Sequence, residues 1–301
     1  MQNYRGRRFF TTVIVLIGIQ SFLVLADDFQ SNDKKIIYLI STPRSLSTAF
    51  LRMMHARGDC IVMNEPSILP QSVRLWRDMY FSGLKRYVLW EAENKHVFAK
   101  ELAYHITQHI YQDIDFIKNP NVYFVFLIRN PHHSVLSLYK KLKRYVKSCD
   151  ISLFDQMGYK ELYTIFQYVK QYSVHPCYIV LTEDLYTNSE KIIYELSKHL
   201  DIDYKLESLH WDNLGEDFNG KEEWSEKKPK QFVYHWHSDA IKSTGFKTPS
   251  MYEVNADGIP TFSEAADSDE QAVCKNAYAK QLPYYELLLQ EYSKQQQLMV
   301  Q

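Results

Sequence analysis

Apolar residues along the chain fall into short runs separated by longer stretches of helical period. Residues 36–40 (Ile-Ile-Tyr-Leu-Ile) form the first run. Similar runs occupy 60–63, 96–99, 122–128 and 177–181. Their richness in Val, Ile, Tyr and Phe predicts strands. Between the first two, Leu46, Ala49, Phe50, Met53 and Met54 recur at the three-and-four spacing of one helix face. Leu136, Leu138, Leu142 and Tyr145 predict a second such helix. Strands alternating with helices predict an α/β fold of three layers, a central parallel sheet of about five strands flanked by helices. No internal repeat is visible. The charged stretches 212–230 and 257–269 read as surface loops. Residues 284–299 predict a closing amphipathic helix, with the glutamines at 295–297 as a solvated tail.

The N-terminus has a different pattern. Arg5, Arg7 and Arg8 precede a mostly apolar run over 9–26, and Asp27 and Asp28 follow. This is the layout of a signal peptide or a short single-pass anchor over residues 1–28. The rest, 33–301, is expected to be one soluble body, membrane-anchored or exported, touching a membrane only if the segment is uncleaved.

Composition narrows the function classes. The chain is 46% hydrophobic and 24% charged over 301 residues, which excludes a disordered or multi-span protein. Thirty-five basic residues against thirty-six acidic ones leave a charge of -1, so no general nucleic-acid partner is expected. Cys60, Cys149, Cys177 and Cys274 form no C-x-x-C pair, so neither a zinc knuckle nor a redox dithiol is indicated. Cys60 and Cys177 lie beside apolar runs and read as buried thiols, while in a lumen Cys149 and Cys274 have the option of pairing.

The candidate chemistry sits where predicted strands end. After the first run comes Ser41-Thr42-Pro43-Arg44-Ser45-Leu46-Ser47-Thr48-Ala49, leading into a helix. Ligands of open α/β folds bind at this edge of the sheet, and a helix N-terminus suits a phosphate. Plain capping by Ser and Thr explains the loop equally well. A nucleoside-triphosphate loop would carry G-x-x-x-x-G-K-S/T, and this one has neither Gly nor Lys. The run 122–128 ends in Arg129, not in a carboxylate that would help hold magnesium. Both features point to phosphate binding without a metal. Arg129-Asn130-Pro131 leads a helix with Ser134 and Ser137, which places an Arg and a Ser to grip one phosphate; an internal ion pair of Arg129 is the alternative. His235 and His237, read as a strand, would face one way, but no third metal ligand suggests itself. His132 and His133 are expected to be exposed.

These residues resemble the sulfotransferase family, on a P-loop NTPase-like fold. Thr42 to Phe50 resembles its 5′-phosphosulfate loop in the Pro-Arg-Ser-x-Ser-Thr form, and Arg129-Asn130-Pro131 with Ser137 resembles its 3′-phosphate motif. Asn64-Glu65-Pro66, Phe98-Ala99-Lys100-Glu101, and 235–246 extend the likeness over roughly 35–246. The resemblance implies 3′-phosphoadenosine 5′-phosphosulfate (PAPS) as co-substrate, a hydroxyl acceptor such as a carbohydrate or small molecule, and no metal. It places Arg44, Ser45, Leu46, Ser47, Thr48 and Ala49 around the 5′-phosphate and Arg129 and Ser137 at the 3′-phosphate. Ser243, Thr244 and Gly245 fall in the late loop that folds over the nucleotide. Arg44 would offset charge on the leaving oxygen. Glu65 stands where a general base is found, Lys100 where a leaving-group Lys is found, and His105 is a reserve base. A helix-start carboxylate and a solvated Lys remain the plain readings of Glu65 and Lys100. The stretches 69–90 and 207–230 are expected to shape the acceptor pocket. A nucleotide kinase on the same fold and a non-catalytic, membrane-tethered nucleotide-binding module are the rival functions. Because PAPS is made in the cytosol, an exported body implies a compartment that imports it.

Overall fold

Five runs of strand-forming sequence line up side by side in a computed structural model of the chain: β1 (Ile36–Ser41), β2 (Cys60–Asn64), β3 (His96–Leu102), β4 (Val122–Ile128) and β5 (Tyr178–Leu181). The structure describes residues 34–68, 95–145, 154, 156–213, 230–246, 260–265 and 267–300. The proposed leader or anchor, Cys149 and the stretches 69–90 and 214–229 lie outside the described residues. Among the described residues no helix is long and apolar enough to cross a membrane.

All neighbouring strands are parallel, in the order β2-β3-β1-β4-β5. Every residue of β1 and β4 is buried. Strand alternation deals their side chains to two faces. Tyr38, Ile40, Phe124 and Phe126 join one core, and Ile37, Leu39, Val125 and Leu127 join the other. α1 (Ser47–Ala56) and α6 (Thr182–Leu200) cover the second face. α2 (Ala103–Ile110), α4 (Pro131–Tyr145), α5 (Tyr159–Tyr172) and α8 (Ser268–Val300) cover the first. The short α3 (Ile114–Ile117) adds Phe116 and Ile117 to that core. α7 (Lys230–Ile241) packs on α1. The chain leaves β1 in one direction for β2 and passes it in the other for β4, so a crevice opens at the carboxyl end of β1.

Several sequence expectations change. Residues 235–237 are helical, within α7, so the H-x-H pair sits about 200° apart around the axis and does not share a face. The stretch 257–269 is no plain surface loop where it is described: Phe262 is fully buried, with its ring 5.0 Å from that of His132. His132 is itself buried, and burial pushes it down to about 4. His133, half-buried and beside Arg129, is also pushed down to about 4. The closing helix begins at Ser268, capped by Asp267, whose carboxylate accepts from the Glu270 N–H at 2.9 Å. Its inner stripe is Cys274, Ala277, Gln281, Tyr285, Leu288 and Tyr292. Small and polar members dilute that stripe in its first half, which hides the helical period. Gln295 is no solvated tail: its amide accepts from Ile179 N at 2.7 Å and donates to Ile179 O at 2.9 Å. Cys60 is buried and Cys177 half-buried, and burial pushes both thiols up to about 12, which disfavours the thiolate.

Candidate active site

The loop after β1 turns without glycine. Arg44 and Leu46 take left-handed backbone angles, φ 62° and 67°, a conformation that costs side-chain-bearing residues about 1–2 kcal/mol each. Bonds within and across the loop hold it. Ser45 Oγ donates to Thr42 O at 2.7 Å, and Thr182 Oγ, just past β5, donates to Ser45 O at 2.9 Å. The N-cap of α1 is Leu46, with no side-chain cap bond. That removes the plain capping explanation of the serines. A helix N-terminus capped by an apolar residue presents the N–H groups of Ser47, Thr48 and Ala49 to an anion.

The two loops that resemble phosphate motifs meet directly. Arg129, at the end of β4, is 5% exposed, and its Nη1 donates to the carbonyl of Arg44 at 2.5 Å. Arg44 Nε donates in turn to Ser137 Oγ at 3.0 Å. Its Nη1 donates to Trp236 O at 3.1 Å, which ties the loop to α7. Arg129 has no direct ion pair among the described residues, although its charge acts on the Glu183 carboxyl in the direction that lowers its pKa. Its Nε is buried without a hydrogen-bond partner among the described residues, as a donor reserved for an anion would be. The fully buried Tyr159 braces the motif by donating to Arg129 O at 2.7 Å. Glu183 accepts from Asn130 N at 3.0 Å, and burial pushes its carboxyl above the usual range, an effect that this N–H opposes.

The ends of β2 and β3 make the second half of the site. Register places Asn64 opposite Lys100. Glu65 then turns sharply, at φ 50°, and its N–H donates to Lys100 O at 2.7 Å. Its carboxylate meets Lys100 Nζ at 2.5 Å, and Lys100 also donates to Asn64 Oδ1 at 3.3 Å. Lys100 is 1% exposed, so it is not a solvated lysine. Glu65 is buried, stands directly before the short 3-10 helix Pro66–Ile68, and bonds Lys100. His105 Nδ1 lies 3.9 Å from Glu65 Oε2. Glu101 accepts from Ser67 N and Oγ, both at 2.7 Å, and so fixes the turn that carries Glu65. Lys100, on β3, stands one strand spacing from β1, and Glu65, at the end of β2, stands two, roughly 5 and 10 Å along the same sheet edge.

The structure also locates the remaining candidates. Thr48 Oγ1 lies 3.1 Å from His237 Nδ1, so α7 crosses the start of α1. Ser243 is engaged elsewhere: it accepts from Trp211 Nε1 at 3.1 Å and donates to Ala240 O at 2.7 Å. Thr244 O accepts from Trp211 N, and a side chain at Gly245 would crowd Leu209 O at 3.2 Å. These contacts give 243–245 a packing role of their own. Among the described residues no group of His, Cys, Asp or Glu could hold a metal ion. Sequence reading passed over Thr182, Tyr159, Lys141 and Asp239. Thr182 carried a usable signal, a hydroxyl directly after a strand run at the ligand-binding edge.

No protein-family model matches the chain, and no curated protein matches it. The chain is similar to solved sulfotransferases. One is the sulfotransferase domain of the Synechococcus PCC 7002 olefin synthase, at 15% identity over 82% of this chain and 95% of that one, TM-score 0.45. Another is STF9 from Mycobacterium avium, at 9% identity over 86% of this chain and 78% of that one, TM-score 0.45. A third is a mouse sulfotransferase complexed with PAP, at 15% identity over 60% of this chain and 64% of that one, TM-score 0.39.

Proposed function

We propose that the chain is a sulfotransferase that moves a sulfonate from PAPS to a hydroxyl. The observation that carries this reading is the junction of the two motifs, in which Arg129 holds the Arg44 carbonyl and Arg44 holds Ser137. Together with the N–H groups at the start of α1, it makes one continuous anion-binding surface of protein groups. Arg129 and Ser137 take the 3′-phosphate, and Arg44 to Ala49 take the 5′-phosphosulfate. Ser243, Thr244 and Gly245, packed against Trp211 and Leu209, are assigned to supporting the loop beside the nucleotide and not to binding it through the Ser243 hydroxyl.

In the reaction the acceptor oxygen attacks sulfur in line with the bond to the 5′-phosphate. That S–O bond breaks, and adenosine 3′,5′-bisphosphate leaves. Glu65 takes the acceptor proton, and Lys100 holds its carboxylate in place. Arg44 faces charge growing on the bridging oxygen. Arg is a planar fork, not a compact cation, so it donates along fixed directions. The N-terminal segment, read as a signal or anchor, assigns this chemistry to a compartment supplied with PAPS.

The test is a thermal-shift titration of the full chain with adenosine 3′,5′-bisphosphate without metal, against ATP with magnesium. The bisphosphate should stabilise the protein, by about 2.7 kcal/mol at a hundred times its dissociation constant. Stabilisation by magnesium ATP alone would replace this reading with a kinase.

A further inference from the structure

Lys141 lies one helical turn beyond Ser137 on α4, and residues at that spacing share a face. Its ammonium donates to Ser238 Oγ at 2.9 Å and meets Asp239 Oδ2 at 2.9 Å. Arg44 Nη2 stands 3.6 Å from the same Oδ2. One carboxylate oxygen from α7 is thus bracketed by a cation of the phosphate loop and a cation of the helix that carries Ser137. Exposure separates the partners. The Lys141 side chain is 7% exposed and Arg44 19%, but Asp239 is 70% exposed. A buried ammonium needs an anion beside it, and here that anion reaches in from the solvent side.

We infer that Lys141 joins Arg129 and Ser137 in holding the donor's 3′-phosphate, and that Asp239, bridging Lys141 to Arg44, occupies this place until the nucleotide arrives. The identity of the anion rests on the sulfotransferase reading. A phosphate brings more charge and more acceptor oxygens than a carboxylate, so it displaces one from a pair of cations. Asp239 can leave without unseating α7. The helix is held separately by Arg52, whose Nη1 donates to Ala240 O and Ile241 O at 2.9 Å each, and by the Thr48–His237 contact. Lys141 is then a binding residue for the donor, and Asp239 a competitor built into the chain.

The test measures dissociation constants of adenosine 3′,5′-bisphosphate and of adenosine 5′-monophosphate by calorimetry on the full chain. Lys141→Met should weaken the bisphosphate about tenfold and Asp239→Asn should tighten it about tenfold, the scale of one charged hydrogen bond. The monophosphate should change by less than about threefold in both. Unchanged bisphosphate affinity in Lys141→Met, equal losses for the two nucleotides, or weaker binding in Asp239→Asn would overturn the inference. If Lys141→Met does not fold, Asp239→Asn alone decides, with Lys141→Arg expected to retain affinity. If the wild type binds no bisphosphate, the sulfotransferase reading fails. The subsite is then probed with inorganic phosphate, which Asp239→Asn must bind more tightly than the wild type for the inference to stand.

Discussion

The two halves of the sheet edge handle charge differently. At the ends of β2 and β3, Glu65 and Lys100 neutralise each other in a buried pair. At the ends of β1 and β4, Arg44, Arg129 and Lys141 gather around backbone carbonyls and hydroxyls, with Asp239 approaching from solvent. The first half pairs its buried lysine with one carboxylate, holds a second, Glu101, on Ser67, and carries groups that can give or take a proton. The second holds an excess of cations, which suits a multiply charged ligand. Under the proposed function, the contrast separates two tasks along one edge: proton transfer on one side, and recognition of an anionic nucleotide on the other.

The largest expected effect tests that separation directly. Glu65→Gln should lower turnover by about a hundredfold or more, the usual scale for a general base, and leave bisphosphate affinity within a factor of about two. A loss of affinity matching the loss of rate would merge the two halves, and unchanged turnover would leave a nucleotide-binding module. The converse variant comes next. Arg129→Ala should weaken adenosine 3′,5′-bisphosphate by about ten- to a hundredfold, as loss of a charged contact does, and hardly alter binding of its 3′-dephospho analogue. Equal losses would show that Arg129 supports the fold instead.

Acid sharpens the contrast by acting on the β4 side. His132 and His133 remain neutral in the folded protein down to about pH 4, whereas an unfolded histidine takes up its proton near pH 6.5. The unfolded chain therefore binds more protons between these values. Their contribution to stability is complete above about pH 6.5 and is lost as pH falls towards 4. Denaturant melts across this range should flatten in His132→Phe and His133→Gln. A slope unchanged by both substitutions would exclude the two rings as its source. The smallest effect concerns the loop itself. Leu46→Gly relieves a left-handed residue but frees the unfolded chain and gives up side-chain packing, so stability should move by no more than about 1 kcal/mol. A larger loss by calorimetry would mean that the Leu46 side chain, more than its backbone, holds the loop.

The sheet and the positions of both motifs were legible in the sequence because short buried strands are written locally, as unbroken runs of Val, Ile, Tyr and Phe. The start of β5 moved to Tyr178, and β1, β2 and β3 run on to Ser41, Asn64 and Leu102. What could not be read depends on contacts between distant segments. The Glu65–Lys100 pair exists because register sets Asn64 beside Lys100, and nothing near either residue announces that register. Lys141 reads as one more basic residue on a polar face until α7 lies across it. His132 looked exposed because nothing local to it signals that Phe262 folds back onto it. The H-x-H spacing misled in another way, since it suggests a strand only if the period of its surroundings is ignored.

A single glutamine has a consequence for how this protein behaves in company. β5 ends the sheet, and the outward N–H and C=O of Ile179 are satisfied by the amide of Gln295. An amide side chain presents a donor and an acceptor as a neighbouring backbone would, so Gln295 imitates one link of a further strand. Exposed edges recruit strands from other chains. Replacing Gln295 with Leu would bare that link and turn the border of the sheet into a template for association, even with every catalytic group in place.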